Sequence, residues 1–429
     1  MLGRRGKMTR EESRAVQVLG AVHVARLVGL YMVLPVLSPH AGSLAGATSL
    51  LIGLSLGIYG ATQALFQIPF GALSDRIGRR PAIAVGLGLF AIGSFLSAVT
   101  TDARLLVAAR ALQGSGAVSS VVIAMVADVT REEVRTQAMA RLGIWIGGAF
   151  AFALLIGPPL ASLIGVPAIF AITGGGALVS LGLLLFVLEE APAAPGRDRL
   201  RAAAMKTVLR QRPLLLIDVG VFLLHTVLTV LFVVLPFELE RIVGPDNTWK
   251  VLVPVLTIGV GVLFWSGRTA DRRGWTERFF FIGAALLCVC CLVFALIGRR
   301  SGAVVGGIVL FVVAIALLEP TLTSLVSRFA RGPHRGTAFG VYSMAQFSGA
   351  FFGGVLGGAF LKTERYVLFL GLFVATFLWA LALTRIGRLR PRSSEDRSIP
   401  RGDRPDPDRP PEPPEGGHEG TETVREPDP

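Results

Sequence analysis

Apolar stretches of about 20 residues recur along most of the chain, and they restrict its fold more strongly than any other feature. A helix of that length crosses the hydrocarbon core of a bilayer. Because lipid offers backbone groups no hydrogen-bonding partner, each stretch has to satisfy its own peptide groups as a helix. The sequence therefore predicts an all-α integral membrane protein. Twelve transmembrane helices are expected, at residues 15–38, 46–70, 81–101, 103–128, 137–161, 166–188, 213–237, 248–269, 277–298, 302–327, 336–361 and 364–386.

The composition agrees with a membrane protein and excludes an ordinary soluble one. Of the 429 residues, 52% are hydrophobic and 17% are charged, and the mean hydropathy is +0.63. A net charge of +13 would indicate nucleic-acid binding in a soluble chain. Here the basic residues concentrate between apolar stretches, where they orient helices in a bilayer. We therefore expect the lipid bilayer as a partner and no nucleic acid.

The distribution of basic residues also predicts the topology. When the N-terminus is placed inside, most of the 42 Lys and Arg residues fall in the two tails and in the loops on the same side. The loops on the other side carry few of them. Cytoplasmic segments are enriched in Lys and Arg, so both termini are predicted to be cytoplasmic.

One short motif occurs twice, after the second span of each predicted half. Residues 71–78 and 267–274 both read Gly-x-x-x-Asp-Arg-x-Gly. Charged residues crowd residues 75–80 and would not be placed in hydrocarbon, so we predict a tight basic turn at a membrane surface. Segments that begin at Arg135 and Arg335 are a further matching pair. This repetition predicts two pseudo-symmetric six-helix halves.

Changes in composition divide the chain into five predicted parts. These are a cytoplasmic N-tail at 1–14, an N-terminal six-helix half at 15–188, a cytoplasmic linker at 189–212, a C-terminal six-helix half at 213–387 and a cytoplasmic tail at 388–429. The tail is rich in Pro, Asp, Glu, Arg and Gly and has almost no aliphatic residues. Such a segment cannot bury enough apolar surface to fold, so it is predicted to be disordered.

The repeated motif resembles the signature loop between the second and third helices of major facilitator superfamily transporters. The resemblance implies a conformational gate. Its residues would be Gly71, Asp75, Arg76, Gly78 and Arg79 in the first copy, Asp128 at the inner end of the fourth helix, and Gly267, Asp271 and Arg272 in the second copy. In that family the positions of Asp75, Arg79 and Asp128 form a charge cluster that holds the outward-facing state.

The residues themselves allow these contacts. Asp75 lies one helical turn before Arg79, so the two side chains can pair. The eleventh span is predicted to begin near Gly336 on the same side, where its positive N-terminal end would attract Asp75 from the other half. The alternative is that the basic loop serves only as a topological anchor.

Two further motifs resemble proton-driven exporters of this superfamily. Residues 110–116 read Arg-x-x-Gln-Gly-x-Gly, and the family ties this arginine to proton transfer. Gly157 and Pro158 are similar to the Gly-Pro helix kink of its antiporters, although Ala161 and Ser162 stand where that pattern has paired glycines. The alternatives are a structural arginine bound by backbone carbonyls and a proline-kinked packing helix.

Over about residues 8–386 the chain is similar to the YajR-type bacterial transporters of the twelve-helix drug:proton antiporter group. The similarity rests on residues 32–37, 57–64, 66–71 and 135–143. It implies a multi-pass, monomeric protein of the bacterial inner (plasma) membrane, with a small-molecule substrate and protons as partners. That type carries a soluble domain after its last helix, and here the predicted disordered tail follows instead.

Ionisable side chains inside the spans are costly in lipid and therefore indicate function. Arg26, Arg110, His225 and Glu319 lie in predicted spans 1, 4, 7 and 10. These are the equivalent helices of four three-helix repeats, and they line the central cavity in the facilitator fold. Carboxyl and imidazole groups can exchange protons, so Glu319 and His225 are candidate proton or substrate sites.

Polar side chains extend this predicted cavity. They are Tyr59 and Gln63 on span 2, Gln113 on span 4, and Tyr342 and Gln346 on span 11. The pairs on spans 2 and 11 are four residues apart and therefore share a helix face. Such residues either bind a ligand or hold helices together, and the sequence leaves both open.

These features favour a proton-coupled secondary transporter, an exporter (antiporter) of a hydrophobic or amphipathic small molecule that works by alternating access. The alternatives are a non-transporting membrane receptor or interaction protein on the same fold, and a proton symporter that imports a small solute. The sequence shows no phosphate-binding loop and no nucleophile–base arrangement. Cys288, Cys290 and Cys291 share one apolar span without metal-ligand spacing. We expect no enzyme activity, no cofactor and no metal site.

Overall fold

The computed structural model describes residues 8–188, 205, 207–296, 300–330, 335–363 and 365–385, without the side chains of residues 136, 246, 271, 335, 384 and 385. Within this part the chain is helical, apart from turns and one isolated bridge between Ala45 and Asp102. The predicted tail at 388–429 and residues 189–204 of the predicted linker lie outside the described residues. The all-α architecture is as predicted.

The helices are joined by short connections. They are α1 (Arg10–Val33), α2 (Leu37–Ser43), α3 (Ser49–Ile77), α4 (Arg79–Val99), α5 (Ala103–Ser115), α6 (Ser119–Asp128), α7 (Glu132–Val187), α8 (Arg212–Val243), α9 (Thr248–Arg273), α10 (Thr276–Leu296), α11 (Ser301–Phe329), α12 (Arg335–Ala359) and α13 (Arg365–Arg385). A 3-10 turn, Pro245–Asn247, joins α8 to α9. The first helix starts inside the predicted tail 1–14, because Thr9 and Glu12 form a reciprocal capping box there.

Ten helical segments in the described part are long and apolar enough to cross a membrane. The longest, α7, has 56 residues and one non-helical position, Gly165, whose φ is +79°. This break divides α7 into segments that match the predicted spans 137–161 and 166–188. Helix α12, which is not among the ten, covers the predicted span 336–361. The total of twelve spans stays a prediction. The division of α7 at Gly165 and the position of α12 agree with it.

Two spans that the sequence predicts as continuous are interrupted. Between α1 and α2 the chain makes a turn around Pro35, which has no N–H for a helical hydrogen bond. Between α5 and α6 the helix breaks at Gly116, whose ψ is +59°. The predicted spans at 15–38 and 103–128 thus each contain a helix break that the sequence analysis did not anticipate, while Ala103–Asp128 still forms one candidate membrane span.

The predicted basic turn is much shorter than the sequence suggested. Helix α3 continues through Asp75 to Ile77, α4 begins at Arg79, and only Gly78 separates them, with φ +96°. In the second copy α9 continues to Arg273 and ends at Gly274, with φ +65°. Both glycines occupy a region of positive φ that other residues rarely adopt. The charged residues before them are compatible with a helix, so the reversal needs a single glycine.

The two halves meet closely where α3 packs against α12. A Cβ atom built on Gly53 would lie 2.1 Å from the carbonyl oxygen of Gly354, and one on Gly60 would lie 2.5 Å from that of Phe347. Backbone therefore contacts backbone, as in the small-residue interfaces of membrane helices. We call this line of contacts, with Gly57 and Gly358, the glycine seam.

The glycine seam lies towards one end of the bundle. We name this the Ala45 end, because it also holds the Ala45–Asp102 bridge, and the opposite end the Gly78 end. At the Ala45 end Ser38 donates a hydrogen bond to the carbonyl of Phe232 across the halves, at 2.9 Å. Towards the Gly78 end, Cβ atoms built on Gly336 and Gly340 of α12 would meet open space. The halves are thus tightly packed at one end of α12 and not at the other.

The glycine seam can be tested with two matched alanine substitutions in α12. Gly354→Ala places a Cβ 2.6 Å from the carbonyl oxygen of Gly53 and should force the backbones apart, at a cost of about 1–3 kcal/mol. Gly340→Ala, in the same helix, meets no atom within 4 Å and should have little effect. Thermal unfolding in detergent measures both. Equal unfolding temperatures for the two variants would contradict the seam.

Candidate functional site

Arg26 of α1 is the centre of a polar cluster in the N-terminal half. Its guanidinium group is buried and donates to the Tyr59 hydroxyl at 3.2 Å, to the Gln63 side-chain oxygen at 3.4 Å and to the Gly116 carbonyl at 3.2 Å. It also donates to the hydroxyl of Ser119. At the break between α5 and α6, the Gly116 carbonyl accepts both from Arg26 and from the Val118 N–H, the latter at 2.9 Å. Tyr59 and Gln63, predicted from their spacing, are therefore brought to Arg26.

Arg110 of α5 forms a second cluster beside the first. Its Nε atom donates to the Ser55 carbonyl at 3.1 Å, and an Nη atom donates to the side-chain oxygen of Gln113. The guanidinium carbon lies 5.1 Å from the ring centre of Tyr59, within cation–π range. Tyr59 therefore contacts both arginines. Gln113 is held in turn, because its amide donates to Ser94 at 2.7 Å.

Both arginines are buried without a carboxylate partner among the described residues. A buried charge is tolerated only when polar groups of the protein surround it. Carbonyls, hydroxyls, amides and aromatic faces do so here. Even so, Nε of Arg26 and one Nη of Arg110 have no hydrogen-bond partner in the described part of the chain. The N-terminal half thus presents two cations with unused donors.

The C-terminal half holds a cluster of opposite charge, made by three helices. The amide nitrogen of Gln346 on α12 lies 3.1 Å from Oε1 of Glu319 on α11 and 2.9 Å from Nε2 of His225 on α8. Nδ1 of His225 lies 3.1 Å from the Val221 carbonyl, which can only accept, so Nδ1 carries the proton. Nε2 then accepts from the Gln346 amide.

Glu319 keeps capacity for another partner. Its second oxygen, Oε2, is buried and accepts no hydrogen bond from the described residues. Such a group carries an energetic penalty unless a proton, a ligand or water occupies it in one of the protein's states. The structure thus brings together three residues that the sequence singled out separately, and it leaves their carboxylate half-satisfied.

Three further residues adjoin this cluster. Tyr342, a predicted site residue, is buried one turn before Gln346 on α12. Asp218 is buried two turns before His225 on α8, and the sequence analysis did not select it. Tyr31 of α1, also missed, lies near Arg26 of its own half and Glu319 of the other half. No spacing signal marks Tyr31, because it lies in an apolar run and shares no motif.

The first copy of the repeated motif forms a compact charge cluster. Nη1 of Arg79 lies 2.7 Å from Oδ1 of Asp75, and Nε of Arg79 lies 3.0 Å from Oδ2 of Asp128. Nη1 also donates to the Ser74 hydroxyl at 2.6 Å. Only 1% of the Arg79 side chain is exposed, so two carboxylates neutralise a buried guanidinium. The pairing that the spacing allowed is present, and we call these residues the Arg79 triad, Asp75–Arg79–Asp128.

The remaining predicted gate residues lie near the two glycine turns. Gly71 is helical within α3, and Arg76 is exposed one residue after Asp75. In the second copy Gly267 lies within α9 and Arg272 is exposed near its end. The side chain of Asp271 is outside the described part of the structure. Both copies turn at a glycine of positive φ, but ψ is 159° at Gly78 and 27° at Gly274. The Arg79 triad belongs to the first copy.

The predicted kink residues form a packing contact. The backbone of α7 stays helical through Gly157 and Pro158. A Cβ atom on Gly157 would lie 2.3 Å from the carbonyl oxygen of Met32, so this glycine lets α7 touch the end of α1. The described residues contain no group of three or more His, Cys, Asp or Glu side chains that could hold a metal ion.

Comparison with known proteins agrees with this architecture. The family model described as Major Facilitator Superfamily matches residues 19–354 and 219–419. The chain is 38% identical over 355 residues to the inner membrane transport protein YajR of Escherichia coli K12, covering 82% of this chain and 78% of that protein. It is 30% identical over 182 residues to the class H tetracycline resistance protein of Pasteurella multocida, covering 41% of this chain and 44% of that protein.

A solved structure shares the fold at low sequence identity. The xylose transporter XylE from E. coli, in a partially occluded inward open conformation, has a TM-score of 0.68 and 14% identity. The comparison covers 88% of this chain and 99% of that one. The chain is therefore a multi-pass membrane protein and a transporter rather than an enzyme. The family match and the extended similarity to YajR show that it belongs to the major facilitator superfamily.

Proposed function

We propose that this protein is a proton-coupled secondary transporter that exports a hydrophobic or amphipathic small molecule by alternating access. The observation that carries the proposal is the Glu319 cluster. A carboxyl group lies inside the bundle, one oxygen bound to Gln346 and the other without a described partner. The free oxygen can bind and release a proton while the other oxygen keeps its hydrogen bond to Gln346.

The chemistry of the cluster supports a coupling role. As a carboxylate, Glu319 accepts the Gln346 amide hydrogen and carries a buried negative charge. When Oε2 takes up a proton, that charge disappears and the carboxyl becomes a donor. Gln346 would transmit this change to His225, because its amide nitrogen contacts both side chains. Protonation thus alters the hydrogen bonding of three helices at once.

The two halves carry complementary charges on the proposed transport path. Arg26 and Arg110 supply cations on the N-terminal side, and Glu319 supplies a carboxylate on the C-terminal side. Tyr31 lies near both Arg26 and Glu319. A substrate that competes for these groups would exchange with protons. Export is supported by relatives whose names concern tetracycline resistance and multidrug resistance.

The packing of the halves supports alternating access. The glycine seam closes the Ala45 end, while Gly336 and Gly340 face open space towards the Gly78 end. We assign this arrangement to an inward-facing state, with the Gly78 end cytoplasmic. The Arg79 triad is intact in it, so the ion pairs within the triad do not by themselves define the state. The proposed lock is a further contact of Asp75 with the N-terminal end of α12 when the Gly78 end closes.

Transport and coupling are tested in inverted vesicles with an imposed pH gradient, across a panel of amphipathic compounds. Gradient-dependent uptake into these vesicles corresponds to export from the cell. Movement of the solute in the same direction as the protons would indicate a symporter instead. The absence of any gradient-dependent flux with correctly folded protein would favour a receptor or interaction protein.

Glu319→Gln should abolish gradient-driven flux, because it removes the titratable carboxyl and keeps the shape of the side chain. The expected protein is folded and still binds substrate. Glu240→Gln, near the Ala45 end of α8, is the matched control and should transport normally. Flux is measured in the vesicle assay at equal amounts of reconstituted protein. Undiminished gradient-driven transport by Glu319→Gln would rule out Glu319 as the coupling group.

Arg110→Lys should impair both folding stability and flux. Lysine cannot reproduce two directed donors, so the Ser55 carbonyl or the Gln113 oxygen loses its partner, at about 1–3 kcal/mol. Arg104→Lys, the same change at an exposed site of α5, should leave both properties intact. Thermal unfolding and vesicle flux distinguish them. If the two variants behave alike, the guanidinium geometry of Arg110 is irrelevant.

Asp75→Asn should increase the inward-facing population. It removes the proposed contact of Asp75 with α12, which would form only when the Gly78 end closes and would be worth about 0.5–2 kcal/mol, enough for a several-fold to tenfold shift. The readout is thiol labelling of Gly340→Cys, with Cys288, Cys290 and Cys291 replaced by Ala. Labelling should accelerate.

The control for this gate experiment is Glu133→Gln, which removes an exposed carboxylate at the start of α7. In this control, Gly340→Cys should be labelled at the same rate as in the protein that retains both Asp75 and Glu133. An Asp75→Asn protein that is folded and labels at the control rate would show that the motif is only a topological anchor.

A further inference from the structure

The two copies of the repeated motif differ in how their charges are balanced. In the first copy Arg79 follows Gly78 and is neutralised by two carboxylates. In the second copy the residue after Gly274 is Trp275. The matching segments that begin at Arg135 and Arg335 place Arg328 where the first half has Asp128. The second copy therefore replaces the central cation by an aromatic ring and one of its acidic partners by another cation.

The second copy is left with an excess of exposed cations. Arg268, Arg272, Arg273 and Arg278 are exposed along residues 267–278. None of them forms an ion pair with a carboxylate in the described part of the chain. The same segment contains Glu277, and Asp271, whose side chain is not described. Like charges at this spacing on a helix repel one another unless an anion lies between them.

An open cavity of about 420 Å³ runs along one side of α9, and all the residues that line it lie between Gly261 and Arg273 of that helix. Arg268, Arg272 and Arg273 line it towards the Gly78 end. Phe264 and Trp265 line it towards the middle of the helix, and they are 49% and 55% exposed. The cavity is thus basic at one end and aromatic at the other.

Aromatic residues beside the cavity hold the basic end in place. Trp275 lies between two guanidinium groups, with Arg273 and Arg278 each 5.2 Å from its ring centre. Phe279 packs against Trp265 at 5.3 Å and against Trp275 at 6.0 Å. Tryptophan and arginine side chains together are typical of the membrane–water interface.

We propose that this cavity binds the headgroup of an anionic phospholipid. The phosphate would accept hydrogen bonds from Arg268, Arg272 and Arg273. Its negative charge would take the place that the carboxylate of Asp128 has in the first copy. The glycerol and upper acyl chains would lie along Phe264 and Trp265. A soluble anion would use the arginines alone, and it would leave the exposed aromatic side chains uncovered. The continuity of basic and aromatic surface on one spanning helix therefore favours a lipid.

Native mass spectrometry of the full-length protein in detergent, titrated with phosphatidylglycerol, tests the proposal. The variant Arg268→Gln/Arg272→Gln/Arg273→Gln should weaken binding of the tightest lipid by at least about tenfold. The control Arg10→Gln/Arg14→Gln/Arg210→Gln removes the same charge from exposed sites elsewhere and should not. Phosphatidylcholine should bind the unmodified protein weakly.

Three outcomes of that titration would overturn the proposal. An equal loss in both triple variants would show attraction to net charge rather than a site. Equal affinity for phosphatidylcholine would exclude recognition of an anionic headgroup. Displacement of phosphatidylglycerol by inorganic phosphate at equal concentration would assign the arginines to a soluble anion.

A second measurement is independent of the folding of the arginine variants. Phosphatidylglycerol with brominated acyl chains should quench tryptophan fluorescence of the reconstituted protein more than brominated phosphatidylcholine does. Trp265→Phe should remove this difference, whereas Trp249→Phe, at the other end of α9, should preserve it. A difference that survives in Trp265→Phe would place the lipid elsewhere and overturn the assignment.

Discussion

A charge buried in a membrane bundle has to be balanced by the protein itself, because lipid solvates neither ions nor peptide groups. The structure meets this constraint in two ways. Arg79 is balanced by the carboxylates of Asp75 and Asp128, whereas Arg26 and Arg110 are balanced by carbonyls, hydroxyls and aromatic rings. The first arrangement pairs opposite charges in direct ion pairs, although one Nη of Arg79 has no partner among the described residues. The second has no carboxylate among the described residues, and its arginines also keep unused donors, which are available for function.

The same constraint explains why the two halves are alike in backbone and different in chemistry. Each repeats the turn at a glycine of positive φ, at Gly78 and Gly274. The N-terminal half concentrates unpaired cations in its interior, while the C-terminal half places Glu319 and His225 there. Duplication supplies a symmetric frame in which one half carries Arg26 and Arg110 and the other carries Glu319. Rocking of one half against the other would change the distance between the arginines and Glu319. Two halves with the same charges would repel each other at every distance instead.

The sequence predicted the helical segments and the pairing of Asp75 with Arg79 well, because both depend on local periodicity. The sequence analysis was less accurate where a helix boundary depends on one residue, and where residues from different helices meet in space. Helix α3 continues to Ile77 since charged residues do not stop a helix, and the predicted span 103–128 breaks at Gly116. The meeting of Glu319, Gln346 and His225 joins three helices and follows from no spacing in the chain. Tyr31 gave no signal at all, since it lies within an apolar run.

The glycine seam has a consequence for the rate of motion. Interdigitated side chains in a helix interface have to withdraw and repack in new rotamers whenever the helices separate. At Gly53, Gly57 and Gly354 the touching surfaces are backbone atoms without rotamers. Two such surfaces can part and rejoin with no search among side-chain conformations. In the proposed transport cycle the glycine seam would therefore separate and close without the side-chain repacking that an aliphatic interface would require.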